Sequence, residues 1–169
     1  MTNTYLPHVG GVARSVSTFA GQYRQRRHRV LVVAPEFPGR PPPAREEAIV
    51  ERVAAIQNFN GSDFSVCLPL AAGLSDRLEE FKADIIHAHH PFLLGETALR
   101  VAANKNVPIA FTHHTRYEEY VHYMPFDSDA LAEIAVDLPT FFANLCDGLI
   151  APSDIIARLI GEKMSAALK

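Results

Sequence analysis

The sequence predicts a single α/β domain, residues 1–169, built as a Rossmann-like three-layer domain with a mostly parallel sheet. Short runs of β-branched and other apolar residues alternate with segments whose apolar residues recur at helical spacing, a pattern typical of parallel βαβ units. Polar and glycine-containing loops follow several of these runs. The chain has 169 residues, of which 48% are apolar and 21% charged, enough for one domain with a buried core.

The first half of the chain begins with a loop, residues 7–11, that opens a helix. Val12, Val16, Phe19 and Tyr23 lie on one stripe of this helix, which should end in a basic run. A buried strand follows and is ended by Pro35. This strand is predicted at 30–34. The other elements predicted in this half are a Pro-rich loop at 38–43, a strand at 50–56 and a helix at 73–82.

The second half is more regular. Pro139 lies inside one predicted helix and should kink or split it, whereas Pro152-Ser153 is typical of a helix N-cap. The predicted strands are 84–88, 107–112 and 148–151, and the predicted helices are 94–105, 131–145 and 154–162.

Charge and composition exclude several classes of protein. The formal net charge of −3 argues against a general nucleic-acid binder. Apolar runs fall far short of the ~20 residues that span a bilayer, and the N-terminus lacks the pattern of a signal peptide. Two cysteines cannot form a disulfide framework, so we expect reduced thiols and a cytoplasmic protein.

A glycine pair and a group of histidines indicate a ligand-binding edge of the sheet. Ligands of such folds bind beyond the carboxyl ends of the strands. Gly10-Gly11 opens a helix, where unpaired N–H groups and the helix dipole favour phosphate, although plain turn chemistry also explains a glycine pair. Five histidines follow two strands, at 87, 89, 90, 113 and 114. We interpret His87 as a core histidine whose hydrogen bonds are satisfied, and His113 and His114 as candidates for ligand contact.

Two further functions stay open, a metal site at the histidines and a general base at a pair of glutamates. The run His87-x-His89-His90 is similar to a zinc-ligand run, but Pro91-Phe92 stands where a metal hydrolase of that kind needs an aspartate. Glu118 or Glu119 could act as a general base, or both could lie on a solvated helix face.

Four segments, in order and spacing, resemble the retaining GT-B glycosyltransferases of family four. They cover essentially the whole chain and read Tyr5-Leu-Pro-His-Val-Gly-Gly-Val12, Asp84-Ile-Ile-His-Ala-His89, Thr112-His-His-Thr115 and Ile150-Ala-Pro-Ser153. Residues 114–123 are also similar to the subset that glucosylates diacylglycerol and related lipids.

The resemblance implies the N-terminal, acceptor-side half of a two-domain enzyme of roughly 350 to 400 residues. That enzyme moves a hexose from a UDP- or GDP-sugar to a lipid or sugar acceptor with retention, without a metal or other cofactor. Its donor-binding domain has no counterpart here, so we expect the chain alone to be inactive. Gly10 and Gly11 fall on the donor-diphosphate loop and His114 on the catalytic histidine. The candidates for the acceptor side of the cleft are His8, His89, His90, His113, Arg116, Tyr117 and Glu118.

Two expectations concern partners. The first 45 residues carry seven basic groups against one acidic group, and Arg24, Arg26, Arg27 and Arg29 could touch an anionic membrane at its inner face. In the family a central strand precedes the glycine loop, but only Met1–Thr4 are present, too few and too polar to form it. The sheet should then gap or close in another order. We therefore expect either a fragment whose upstream start is missed or a chain that self-associates through its unpaired edges. The alternative function is a Rossmann-type binding module without chemistry, and less favoured is a His-rich metal-dependent hydrolase.

Overall fold

The computed structural model describes residues 1–37, 49–56, 66–67, 73–114 and 129–167. These ranges form five helices and seven strands. The helices are α1 (Gly11–Gln25), α2 (Leu74–Phe81), α3 (Leu94–Lys105), α4 (Asp129–Asn144) and α5 (Asp154–Ala167). The strands are β1 (Val32–Pro35), β2 (Val50–Val53), β3 (Ala55–Ile56), β4 (Val66–Cys67), β5 (Ile86–Ala88), β6 (Ile109–Thr112) and β7 (Gly148–Ile150).

The strands pair mainly in parallel, as the sequence predicts. β1 pairs with β2, and β5, β6 and β7 form a second parallel group in that order. β3 and β4 form a short antiparallel pair beside them. The predicted strand at 50–56 is therefore two strands interrupted at Ala54, of which only β2 belongs to the parallel sheet.

Residues at the N-terminus lie between the two parallel groups. The Met1 N–H group bonds to His87 O at 2.6 Å, and His89 N–H bonds to Met1 O at 3.1 Å, which is the pattern of a parallel ladder. On the other side, Thr2 N–H bonds to Val33 O at 3.0 Å. Met1 and Thr2 thus link β1 to β5 and give the order β2-β1-(Met1–Thr2)-β5-β6-β7, although no strand is assigned to them.

As expected, residues 1–4 form no assigned strand, and β1-β2 and β5-β6-β7 are separate sheets. The polar residues at this position are nevertheless buried. Thr2 and Asn3 are only 1% and 2% exposed. The Asn3 side chain donates to Phe92 O at 3.0 Å and accepts from Leu94 N–H at 3.1 Å. A buried polar side chain is tolerated when its hydrogen bonds are made, and Asn3 makes them with the loop that enters α3.

Helices cover both faces of the sheet, which confirms the three-layer Rossmann-like class. Val32 and Ala34 of β1 pack against Val16 and Ala20 of α1. Val33, on the opposite face of the same strand, packs with apolar residues of α2 and α3. Alternate residues of a strand point to opposite faces, so β1 separates the two layers. The second layer continues over β5 and β6 with Ala98, Ala102, Phe142 and Ala143 of α3 and α4.

Helix ends agree with the sequence in part. Ser153 Oγ accepts from Ile156 N–H at 3.4 Å, which confirms the predicted N-cap of α5. α4 runs through Pro139 as one helix, so the predicted split does not occur. α5 extends to Ala167, five residues beyond the predicted end. Within the ranges described, the longest helices are too short or too polar to cross a membrane.

Gly95 marks a close approach between α3 and the preceding loop. A Cβ atom at this position would lie 2.0 Å from His90 O and 2.9 Å from His90 C. These are backbone atoms that cannot move aside without displacing the loop, so only glycine fits. The pattern of apolar residues in α3 gives no sign of this requirement.

We expect Gly95→Ala to destabilise the domain by about 2 kcal/mol or more, since forced overpacking outweighs the gain in helix propensity. Gly21→Ala in α1 is the matched control, because a Cβ there meets no atom within 4 Å. That variant should stabilise the domain by about 0.5–1 kcal/mol. Urea denaturation of both variants measures the difference, and equal stabilities would contradict the packing argument.

Candidate functional site

The glycine loop enters α1 at the carboxyl edge of the sheet. Gly10 is the N-cap residue, and neither a side-chain hydrogen bond nor an acidic residue occupies the first turn of α1. A Cβ at Gly11 would meet no atom within 4 Å, so the space over this residue is open. The first N–H groups of the helix and its positive dipole end therefore face a space that can hold an anion.

Arg52 holds the segment that precedes the glycine loop. Its Nη2 donates to Leu6 O at 2.6 Å and its Nη1 donates to Pro35 O at 3.1 Å. The planar fork of one guanidinium thus ties this segment to the end of β1. His8, an acceptor-side candidate, stacks on Phe37 with ring centroids 5.8 Å apart. Sequence reasoning missed Arg52, since an arginine in a half-buried strand carries no local signal of its partners.

Three histidines, His87, His89 and His114, form what we call the histidine array. His89 Nδ1 lies 2.8 Å from His114 Nε2, and the two rings stack with centroids 5.1 Å apart. The rings of His87 and His89 have centroids 4.1 Å apart. His87 Nε2 shares a hydrogen bond of 2.7 Å with Thr112 Oγ1. The predicted hydrogen bond of His87 is thereby confirmed, but the residue is half-buried and does not belong to the core.

Strand register creates the array. His87 lies opposite Ala110 in the parallel pair of β5 and β6. Both hydrogen bonds, His87 with Thr112 and His89 with His114, join residues 25 positions apart along the chain. Because side chains alternate at period two, His-x-His after one strand and Thr-x-His after the next lie on the same face of the sheet.

Phe19 of α1 connects the array to the helix of the glycine loop. Its ring meets His87 edge-on at 5.2 Å and His89 at 6.0 Å. Phe19 lies eight residues beyond Gly11, about 12 Å along the helix axis. The helix whose start faces the anion site therefore covers the array with its third turn.

Burial keeps the array uncharged at neutral pH. It lowers the pKa of His87 and of His114 to about 4 each, and lowers the pKa of His89 well below its ordinary value. The neighbouring imidazoles act in the same direction, since each disfavours charge on the others. A neutral imidazole has one donor and one acceptor nitrogen, so the hydrogen bond between His89 and His114 fixes opposite roles for the two facing nitrogens.

His90 holds the loop between β5 and α3 against the N-terminal segment. Its Nδ1 accepts from Asn3 N–H at 3.1 Å, and burial lowers its pKa to about 3. His89 is 3% exposed and His90 9% exposed. Both were candidates for direct contact at the acceptor side, but their side chains lie under the surface and brace the site.

His113 and His114 separate at the end of β6. The His113 N–H group donates to Ile150 O at 2.9 Å, and its ring meets Phe111 edge-on at 5.9 Å. The ring of His114 instead joins the array. Neighbouring residues of an extended chain point to opposite faces, so only His114 shares the side of α1 and the glycine loop.

The remaining candidates, Arg116, Tyr117 and Glu118, lie outside the described residues, as does Glu119. Among the described residues, no group of three His, Cys, Asp or Glu side chains has a geometry that could hold a metal ion. His89 and His114 turn nitrogens toward each other at hydrogen-bonding distance, which leaves no room for an ion between them.

The sequence resembles known proteins over nearly its whole length. Residues 9–166 match Glycosyltransferase Family 4. An alpha-monoglucosyldiacylglycerol synthase of Streptococcus pneumoniae is 29% identical over 164 residues, which cover 95% of this chain and 36% of that protein. A GDP-mannose-dependent alpha-mannosyltransferase of Mycolicibacterium smegmatis is 32% identical over 113 residues, which cover 64% of this chain and 29% of that protein. The chain thus spans about a third of the length of these relatives.

Proposed function

Because the chain belongs to Glycosyltransferase Family 4, we propose that it forms the N-terminal, acceptor-side half of a retaining hexosyltransferase. The hexose comes from a UDP- or GDP-linked donor and passes to a lipid or sugar acceptor. The names of the relatives support this range of substrates, with a glucosyldiacylglycerol synthase on one side and GDP-mannose-dependent enzymes on the other. The observation that carries the proposal is the placement of the open start of α1 and the ring of His114 on one side of one sheet edge.

The proposed roles follow from the charges that develop in the reaction. As the bond between the sugar and the diphosphate breaks, positive charge grows on the sugar ring and negative charge on the leaving diphosphate. The uncapped N–H groups at Gly11 stabilise the diphosphate, because they are fixed before the reaction begins. His114 binds and orients the transferred sugar. His8 is a candidate for acceptor contact, and the resemblance adds Arg116, Tyr117 and Glu118 as candidates from sequence alone. The ring of His113 packs on Phe111 on the opposite face and is given no role in the transfer.

Turnover assays test this proposal. We expect the 169-residue chain alone to bind nucleotide sugar weakly and to release no UDP or GDP, because the relatives are nearly three times as long. Joined to a donor-binding domain, it should transfer glucose from UDP-glucose or mannose from GDP-mannose to a diacylglycerol-based acceptor. NMR of the product should give an α-linked sugar. Activity should persist in excess EDTA, since the proposed reaction uses no metal ion. Steady turnover by the chain alone, or an inverted product, would contradict the proposal.

We also propose that the basic end of α1 meets an anionic membrane at the cytoplasmic face. Arg24 and Arg27 lie in this run with Arg26 and Arg29. Arg26 Nη1 donates to Gln22 Oε1 at 2.9 Å, and Arg29 donates to Phe81 O and lies 4.9 Å over the Phe81 ring. These contacts fix two of the four guanidinium groups at the protein surface without neutralising them.

Vesicle binding tests the membrane proposal. The chain should sediment with vesicles that contain anionic phospholipid and not with purely zwitterionic vesicles. Arg24→Gln combined with Arg27→Gln should weaken binding, since each basic residue near such a surface contributes about 1 kcal/mol. Arg100→Gln combined with Arg158→Gln, on α3 and α5, is the control that removes the same number of charges. The proposal would be ruled out if the chain bound anionic and zwitterionic vesicles equally, or if the test variant and the control variant weakened binding equally.

A further inference from the structure

The proposed transfer assigns no role to His89, the middle residue of the histidine array. Its ring is 3% exposed, so it cannot meet a substrate directly. It lies between His87, with ring centroids 4.1 Å apart, and His114, with ring centroids 5.1 Å apart. Its backbone N–H bonds to Met1 O at 3.1 Å. His89 is therefore held at its backbone, at one face of its ring by His87 and at its Nδ1 edge by His114.

His114, in contrast, follows the last residue of β6 and lacks the support of a strand on its own backbone. Its ring is half-buried. The contact that orients this ring is the 2.8 Å hydrogen bond from its Nε2 to His89 Nδ1. Since the two nitrogens of an imidazole lie on different sides of the ring, a bond at Nε2 directs Nδ1 away from His89.

We propose that His89 is a positioning residue for His114: the hydrogen bond between them fixes the ring orientation and the tautomer of His114, so that Nδ1 of His114 is the atom presented to the sugar. This inference rests on the proposed function, because it assumes that His114 contacts the sugar. The buried partner selects whether that Nδ1 donates or accepts, since neutral imidazoles in a hydrogen bond take opposite roles. The arrangement follows the rule that a catalytic imidazole is oriented by a third group behind it.

The test uses the complete glycosyltransferase with whichever of UDP-glucose or GDP-mannose it turns over. His89→Asn places an amide close to the position of Nδ1 and can keep the bond to His114, whereas His89→Gln places its amide near the position of Nε2 and cannot. His89→Gln should lower kcat by roughly 10- to 100-fold with little change in the donor KM, because misplacing a reacting group by about 1 Å costs that much. His89→Asn should stay within about fivefold of the wild type.

A double-mutant cycle separates positioning from general structural support. In the His114→Ala background, His89→Gln should cause no further loss of kcat, because the group that it positions is gone. If both changes reduce kcat independently, or if His89→Asn and His89→Gln are equally impaired, the positioning role is overturned while the proposed function stands. If His114→Ala alone leaves kcat/KM unchanged, the proposed role of His114 fails and this inference fails with it.

Discussion

Replacing His114 by alanine in the complete enzyme is expected to reduce kcat/KM by at least about 100-fold, the scale of losing one preorganised group at a reacting centre. The variant should still fold, since the His114 ring is half-buried and bonds to His89 alone among the described residues. Steady-state kinetics with the natural nucleotide sugar, alongside a thermal melt, measure both effects. A kcat/KM within a few fold of the wild type would refute the role of His114.

His113→Ala is the matched control at the neighbouring position. Its ring packs on Phe111 on the other side of the strand end, so we expect a loss of kcat/KM below about fivefold. His87→Ala should act on stability instead, because it leaves Thr112 Oγ1 without its buried partner, at a cost of about 1–3 kcal/mol. A larger kinetic loss in His113→Ala than in His114→Ala would reverse the assignment between the two residues.

The domain is expected to lose most of its stability between pH 7 and pH 4.5. Burial lowers the pKa of His87 to about 4 and of His90 to about 3, and lowers the pKa of His89 well below 6.5. Between pH 6.5 and these values the unfolded chain binds protons that the folded chain does not, so stability falls as the pH falls. His87 and His90 should each contribute about 2 kcal/mol over this range, and His89 acts in the same direction. This is a large share of the total stability of a typical domain, about 5–15 kcal/mol.

The His90→Asn variant isolates one part of this pH dependence. The asparagine Oδ1 can accept the Asn3 N–H in place of the imidazole Nδ1 but does not titrate. Urea denaturation at pH 7, 6 and 5 should therefore give a shallower loss of stability for His90→Asn than for the wild type. If the two stability curves run parallel, protonation of His90 is not part of the acid transition.

Local patterns predicted much of the fold. The alternation of β-branched runs with helical stripes predicted the succession of strands and helices along the chain and the parallel pairing of the main strands. Gly10-Gly11 before an apolar stripe predicted the open start of α1, and Ser153 predicted the cap of α5. These features depend on residues within a few positions of one another, where backbone propensity and side-chain period act directly.

Contacts between distant parts of the chain could not be predicted from the sequence. The short, polar start of the chain forms no strand, as expected. The sequence did not predict that Met1 and Thr2 would bond to β5 and β1, or that the Asn3 side chain would bond to the loop before α3. In the sequence, Gly95 looks like an ordinary helix residue. Only the structure shows that the His90 backbone leaves no space for a side chain there.

The sequence by itself determined that five histidines lie at the ends of two predicted strands, His87 within the first and the others just beyond. Only the tertiary structure decided which of them bond to one another, which are buried and which face the helix of the glycine loop. The register of β5 and β6 sets this choice, since a shift of one residue would turn His89 and His114 to the other face of the sheet. That register is fixed by packing of the whole sheet between its helices, and no local run of residues encodes it.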